Sequence, residues 1–321
     1  MHLQTTVDIP SYPFDINYQQ RMLFIGSCFA DNMGKKFSEN KFHTLLNPFG
    51  VLYNPASIQL ALDAIIKESF DSTLMIKHNE LWHSFLHHGS FSNTSREQVL
   101  DKINSGIATA HSYLQETDLI FITLGTAQVY EYQGNIVANC HKIPAKAFTR
   151  RRLSVAEIVE RLSQSIHQLK SLKPDIKIVL SVSPVRYPKD GMHLNSLSKA
   201  SLLLATEDLC QIENCYYFPA YEIVMDELRD YRFFAEDLTH PNQLCINYLW
   251  ESIEKTFFSR ATLQLKQKLQ AIVAARQHRP LNTQPAAHKQ FLSAMYTKAS
   301  NLQKQHPEID LSEELKYFST K

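Results

Sequence analysis

Hydrophobic positions along this chain fall into two alternating patterns. Short runs that are apolar on both faces read as buried strands: 22–25 (MLFI), Leu119–Leu124, 176–182 and the shorter 216–218. Between them, apolar residues recur at three- and four-residue spacing. Val155, Ile158, Val159, Leu162, Ile166 and Leu169 predict a helix over 154–172, opened by the Ser-x-x-Glu capping signature of Ser154 and Glu157. Pro55–Lys67, 197–210 and 242–258 read the same way. Strand alternating with helix predicts a doubly wound α/β domain with a mostly parallel sheet. Ligands of such sheets sit outside the carboxyl ends of the strands. Three of the predicted strands end in Gly26-Ser27, Gly125-Thr126 and Ser183-Pro184, so the chemistry is expected there.

After about Ser259 the pattern changes. Leu263, Leu265, Leu269, Ile272 and Val273 predict one more helix, then 278–288 (HRPLNTQPAAH) reads as a breaker-rich linker. A polar helix with Phe291, Met295 and Leu302 follows. The division expected is an α/β domain over 1–260 and a helical C-terminal appendage over 261–321. The appendage carries nine Lys/Arg against four Asp/Glu and is expected to have little core of its own. It would pack on the main domain or pair with a second chain.

Composition narrows the function. Lys+Arg is 33 and Asp+Glu 32, a balance that excludes a generally basic nucleic-acid binder. The eight glycines form neither a dinucleotide fingerprint nor a Walker loop, and G-x-S-x-G is absent. Five widely spaced cysteines without C-x-x-C form neither a disulfide framework nor a zinc knuckle. The N-terminus lacks a basic start followed by an apolar run, and no stretch approaches the length of a membrane span. The expectation is a cytoplasmic protein, with no nucleic-acid or membrane partner, no metal and no cofactor.

Two segments carry candidate chemistry. Gly26-Ser27-Cys28-Phe29-Ala30 follows a strand and precedes a helix expected to run through Asn40. A hydroxyl at such a turn meets the N–H groups and partial positive charge of a helix N-terminus, which favour a developing oxyanion. Ser27 is therefore a candidate nucleophile, although Ser is also a preferred N-cap. Cys28 is a second candidate, with burial its plainer reading. Asp237-Leu238-Thr239-His240-Pro241 precedes a predicted helix. Asp-x-x-His can set a carboxylate against imidazole Nδ1 and leave Nε2 free to take a proton, as in a Ser–His–Asp triad. Elsewhere, His83, His87 and His88 have spacings that suit metal ligands but lack an acidic or cysteine neighbour. His83, His141 and Arg186 are candidate substrate contacts. The run Arg150-Arg151-Arg152, just before the helix at Ser154, is a candidate anion site, and Arg186, closing a strand at the expected active face, is a second.

Taken jointly, these blocks resemble the SGNH/GDSL hydrolase superfamily, and within it the GSCFA family, whose name is spelled by residues 26–30. The resemblance runs over roughly 20–258. It implies a flavodoxin-like three-layer architecture with Ser27 as nucleophile, His240 as general base and Asp237 orienting it. It also implies oxyanion donors: the N–H groups of Ser27 and Gly50, and Thr126 or Gln128 in place of a family Asn that reads Ala127 here. The activity implied is a serine-dependent esterase or deacylase acting on a small O-acyl ester, such as acetylated carbohydrate. An O-acyltransferase using the same triad and a catalytically weak carbohydrate-binding module are the alternatives.

Overall fold

The structure is a computed structural model and describes residues 4–277 and 285–319. In chain order, the first elements are β1 (Arg21–Gly26), α1 (Cys28–Glu39), β2 (His43–Leu46) and α2 (Pro55–Lys67). A hairpin of β3 (Met75–His78) and β4 (Leu81–Ser84) leads to α3 (Arg96–Gln115) and β5 (Leu119–Leu124). A three-stranded antiparallel sheet follows, from β6 (Gln128–Tyr132), β7 (Asn135–Val137) and β8 (Thr149–Arg152). Then come α4 (Val155–Leu172), β9 (Lys177–Val182), α5 (Met192–Leu209) and β10 (Cys215–Tyr217). A short helical turn, α6 (Ala220–Glu222), precedes α7 (Gln243–Phe257), α8 (Arg260–Gln277), α9 (Pro285–Gln305) and α10 (Ser312–Ser319).

The chain divides into two compact units. The first holds 21–35 and 44–251 and is built on a parallel five-stranded sheet ordered β10-β9-β5-β1-β2. Counted among themselves the strands run 5-4-3-1-2, the flavodoxin-like order, whose switch point lies between β1 and β5. β1 and β5 pair in register from Met22↔Leu119 to Gly26↔Thr123, and β5 and β9 from Leu119↔Lys177 to Leu124↔Val182. All six residues of β5 are buried, as its continuous apolar run requires. Helix α2 packs on α3 and α4, and α4 on α5, closing the core over the sheet. The capping box expected at Ser154 forms: its Oγ accepts the Glu157 N–H and Glu157 returns a bond to the Ser154 N–H. The predicted strands match those observed to within a residue or two, whereas α5 begins five residues before the expected 197. The segment 278–284, most of the expected linker, lies outside the described residues, and helix α9 begins at Pro285.

The second unit comprises 11–20, 36–43 and 252–321. The expected appendage therefore does not stand alone in sequence. It draws on earlier segments and has a core of its own, in which Tyr18 stacks on Phe42 at 4.1 Å and Phe37 and Phe258 pack around Phe42. Leu269, Ile272, Ala299 and Ile309 are buried in it. Part of its excess basic charge is spent internally: the buried Glu314 carboxylate takes Lys41 at 2.8 Å and Arg276 at 3.1 Å. Among the described residues, no helix is long and apolar enough to cross a membrane.

Candidate active site

The C-terminal end of β1 sets the site. Gly26 has φ +135, and a Cβ there would lie 2.2 Å from the Thr123 carbonyl oxygen of β5. Only glycine allows that approach. The next residue, Ser27, is fully buried. Its N–H donates to Thr123 O at 3.1 Å, and its Oγ accepts the Phe29 N–H at 3.3 Å. Ser27 thus sits where a helix cap sits, immediately before α1. Helix α1 starts at Cys28, earlier than the sequence suggested, and Cys28 lines a neighbouring cavity of about 650 Å³.

That cavity lies at the carboxyl ends of the strands. Its wall includes Cys28 after β1, Thr126 after β5, Arg186 and Tyr187 after β9, and His240. Burial pushes the Cys28 thiol up from its ordinary value. The N–H groups of Cys28 and Phe29 and the charge of Lys199 act in the opposite direction. Lys199 comes from α5 and is fully buried, with Nζ donating to Gly125 O at 2.7 Å and Ser183 O at 2.6 Å. Burial, helped by the charge of Arg186, pulls its pKa down to about 7. When protonated, this buried amine adds positive potential that favours the thiolate of Cys28.

The Asp237–His240 loop has the geometry expected of it. Asp237 Oδ2 lies 2.5 Å from His240 Nδ1. The other oxygen, Oδ1, accepts the N–H of Thr239 at 3.0 Å and of His240 at 2.9 Å. These bonds, backbone first, hold the Asp237 carboxyl well below the usual carboxylate range. They fix the imidazole orientation and leave Nε2 without a hydrogen-bond partner among the described residues. No hydrogen bond joins His240 to Ser27 or to Cys28 among these residues.

The expected oxyanion donors are placed differently. The Ser27 N–H is spent on Thr123, and the Gly50 N–H donates to Asn47 O at 2.7 Å. Thr126 Oγ1 is held by Ser198 Oγ at 3.0 Å and by the Gln128 N–H at 3.1 Å, and Ala127 is buried core. Thr126 and Gln128 do line the cavity. Two residues that sequence reasoning did not single out line it as well. Val51 follows Gly50, and its N–H has no hydrogen-bond partner among the described residues. Asn54 caps α2 by accepting the Ser57 N–H on Oδ1 at 2.8 Å, and its Nδ2 has no hydrogen-bond partner among the described residues. A polar cap before Pro55 was the signal that could have found it.

Of the three expected substrate contacts, only Arg186 lines the cavity. His83 is held by Ser92 Oγ at 2.7 Å and His78 O at 3.1 Å, and it stacks on His141 at 4.4 Å. His141 in turn bonds Ser84 O at 2.7 Å. Both imidazoles are buried in structural hydrogen bonds, outside the cavity wall. His88, their neighbour, is the histidine of this stretch that reaches it. The arginine run is not a helix-terminal anion site either. It forms β8, where Arg151 pairs with Glu131 and Glu157 at 2.8 Å each and Arg150 pairs with Asp190. Among the described residues no group of three or more His, Cys, Asp or Glu could hold a metal ion.

A parallel α/β domain with a cavity at its switch-point end, walled by a helix-terminal cysteine and an aspartate-held histidine, is thus the class that fold and site define. The GSCFA family model matches residues 21–253, and the C-terminal domain of GSCFA domain proteins matches 269–321. The chain belongs to the GSCFA family. No curated protein matches it.

Proposed function

We propose that the protein is an acyl-transfer enzyme of the SGNH/GDSL type, a hydrolase of small O-acyl esters, whose nucleophile is Cys28 rather than Ser27. The observation that carries this reading is that Cys28 and His240 wall one cavity while Ser27 is buried beneath it, its Oγ engaged by the Phe29 N–H. His240 Nε2 takes the Cys28 proton, and the thiolate attacks the ester carbonyl. Asp237 fixes the tautomer and stabilises the imidazolium that forms. The carbonyl oxygen becomes an oxyanion, met by the Val51 N–H and Asn54 Nδ2, with Lys199 adding positive potential from below. The tetrahedral adduct collapses, and the leaving alkoxide takes the proton from His240. Water, activated by the same imidazole, then cleaves the thioester. The lack of a hydrogen bond between His240 and Cys28 does not bar the step, since catalytic hydrogen bonds are often long before substrate binds.

Turnover of 4-nitrophenyl acetate tests the assignment. Cys28→Ala and His240→Ala should each lose the activity, and Ser27→Ala should keep it in proportion to the folded fraction. Loss in Ser27→Ala with full activity in Cys28→Ala would return the role to the serine.

A further inference from the structure

The cavity wall carries positive charge that no carboxylate among the described residues pairs with. Arg186 follows β9, and its guanidinium is held by neutral acceptors only. Nε donates to Asn195 Oδ1 at 2.5 Å and Nη2 to Ser196 Oγ at 3.1 Å. Asn195 is itself fully buried, so the guanidinium is oriented by the core of the domain. No carboxylate among the described residues forms an ion pair with Arg186 or with Lys189 on the same wall. The contrast is Arg150, which also lines the cavity but pairs with Asp190 and stands 5.3 Å over the Tyr130 ring. Beside Arg186, the Tyr187 hydroxyl is buried and has no hydrogen-bond partner among the described residues.

A guanidinium has five N–H donors in a planar fork. Asn195 and Ser196 use two of them, leaving both N–H groups of Nη1 and one of Nη2. That remainder suits two oxygens of one anion. Neutral partners fix the orientation without cancelling the charge, as a waiting anion subsite requires. Apolar groups share the wall: Tyr53 meets Tyr187 edge-on at 6.0 Å, with Val51 and Val185 alongside.

We infer that Arg186, oriented by the buried Asn195 and assisted by Lys189, binds an anionic group, carboxylate or phosphate, on the non-reacting part of the substrate. This rests on the acyl-transfer reading in assigning the cavity to substrate, but its test does not need turnover. Calorimetric binding to the full chain would compare three probes: 4-phenylbutyrate, phenethyl phosphate and the neutral 4-phenylbutyramide. At low salt, at least one anion should bind tenfold or more tightly than the amide. Arg186→Gln should erase the preference, and Arg186→Lys should keep part of it, with unchanged melting temperature as the check on folding. The tighter of the two anions names the group. Cys28→Ala should keep the preference, so loss of catalysis and loss of anion binding are read apart. Equal affinity for all three probes, no binding of either anion, or a preference that survives Arg186→Gln overturns the inference.

Discussion

Asp237 holds His240 twice: Oδ2 lies 2.5 Å from the imidazole Nδ1, and Oδ1 accepts the residue's own N–H at 2.9 Å. The carboxylate therefore sets both the backbone turn and the ring. Asp237→Asn keeps the size but can no longer accept equally from ring and backbone. It should lower kcat on 4-nitrophenyl acetate by about 10²–10⁴, as tautomer errors do in triads, with little change in melting temperature because the pair is exposed. Full activity in this variant would remove the dyad from the mechanism.

Asn54 separates two roles that one side chain plays. Its Oδ1 caps α2, and its Nδ2 is the proposed oxyanion donor. Asn54→Asp keeps the cap acceptor and removes the donor. Stability should change little, since Asp and Asn cap about equally well. Turnover should fall by about 10²–10³, the usual cost of one donor. Asn54→Ala should lose the same rate and also about 1 kcal/mol of stability. Steady-state kinetics beside urea unfolding resolve the two effects.

Much of this was legible in sequence, for local reasons. The run Leu119–Leu124 is apolar on both faces and is a fully buried strand, and Ser154 with Glu157 formed the capping box that their spacing announced. Asp-x-x-His is a contact within one loop, so sequence could hold it. The cysteine was different. Cys28 lines the cavity and Ser27 does not, and the five-residue pattern does not distinguish the two. Gly-Ser-Cys-Phe-Ala reads as a turn, whereas α1 begins at Cys28, two residues after Gly26 packs against Thr123. Helix α3 was missed although Val99, Ile103, Ile107, Ala110 and Leu114 keep its inward face. The partners of His83 and His141, such as His78 O and Ser84 O, are brought to them by strand pairing and loop packing, which the sequence pattern does not carry.

The buried histidines make stability depend on pH. Burial, then the nearby His141, lowers His87 from 6.5 to about 3, and burial likewise lowers His141 to about 4. Below about pH 6.5 the unfolded chain takes up protons that these folded imidazoles do not. Their contribution is thus full above pH 6.5 and is lost as the pH falls towards the folded values. The slope for His87 alone is at most about 1.4 kcal/mol per pH unit. Urea unfolding at pH 5 should therefore show about 2 kcal/mol less stability from this group than at pH 7. His87→Phe, which keeps the ring packing on Phe49, should flatten the dependence. An unchanged slope in that variant would contradict the assignment.

The central claim is that Cys28 carries the acyl group, and mapping that group tests it most directly. The full chain is mixed with 4-nitrophenyl acetate, quenched in acid and digested, and the peptide spanning residues 22–35 is sequenced by mass spectrometry. The account predicts an acetyl thioester on Cys28 in the wild type and in Ser27→Ala, released by mild hydroxylamine and absent in His240→Ala. An acetyl group on Ser27, or none on this peptide while the enzyme turns over, would contradict it.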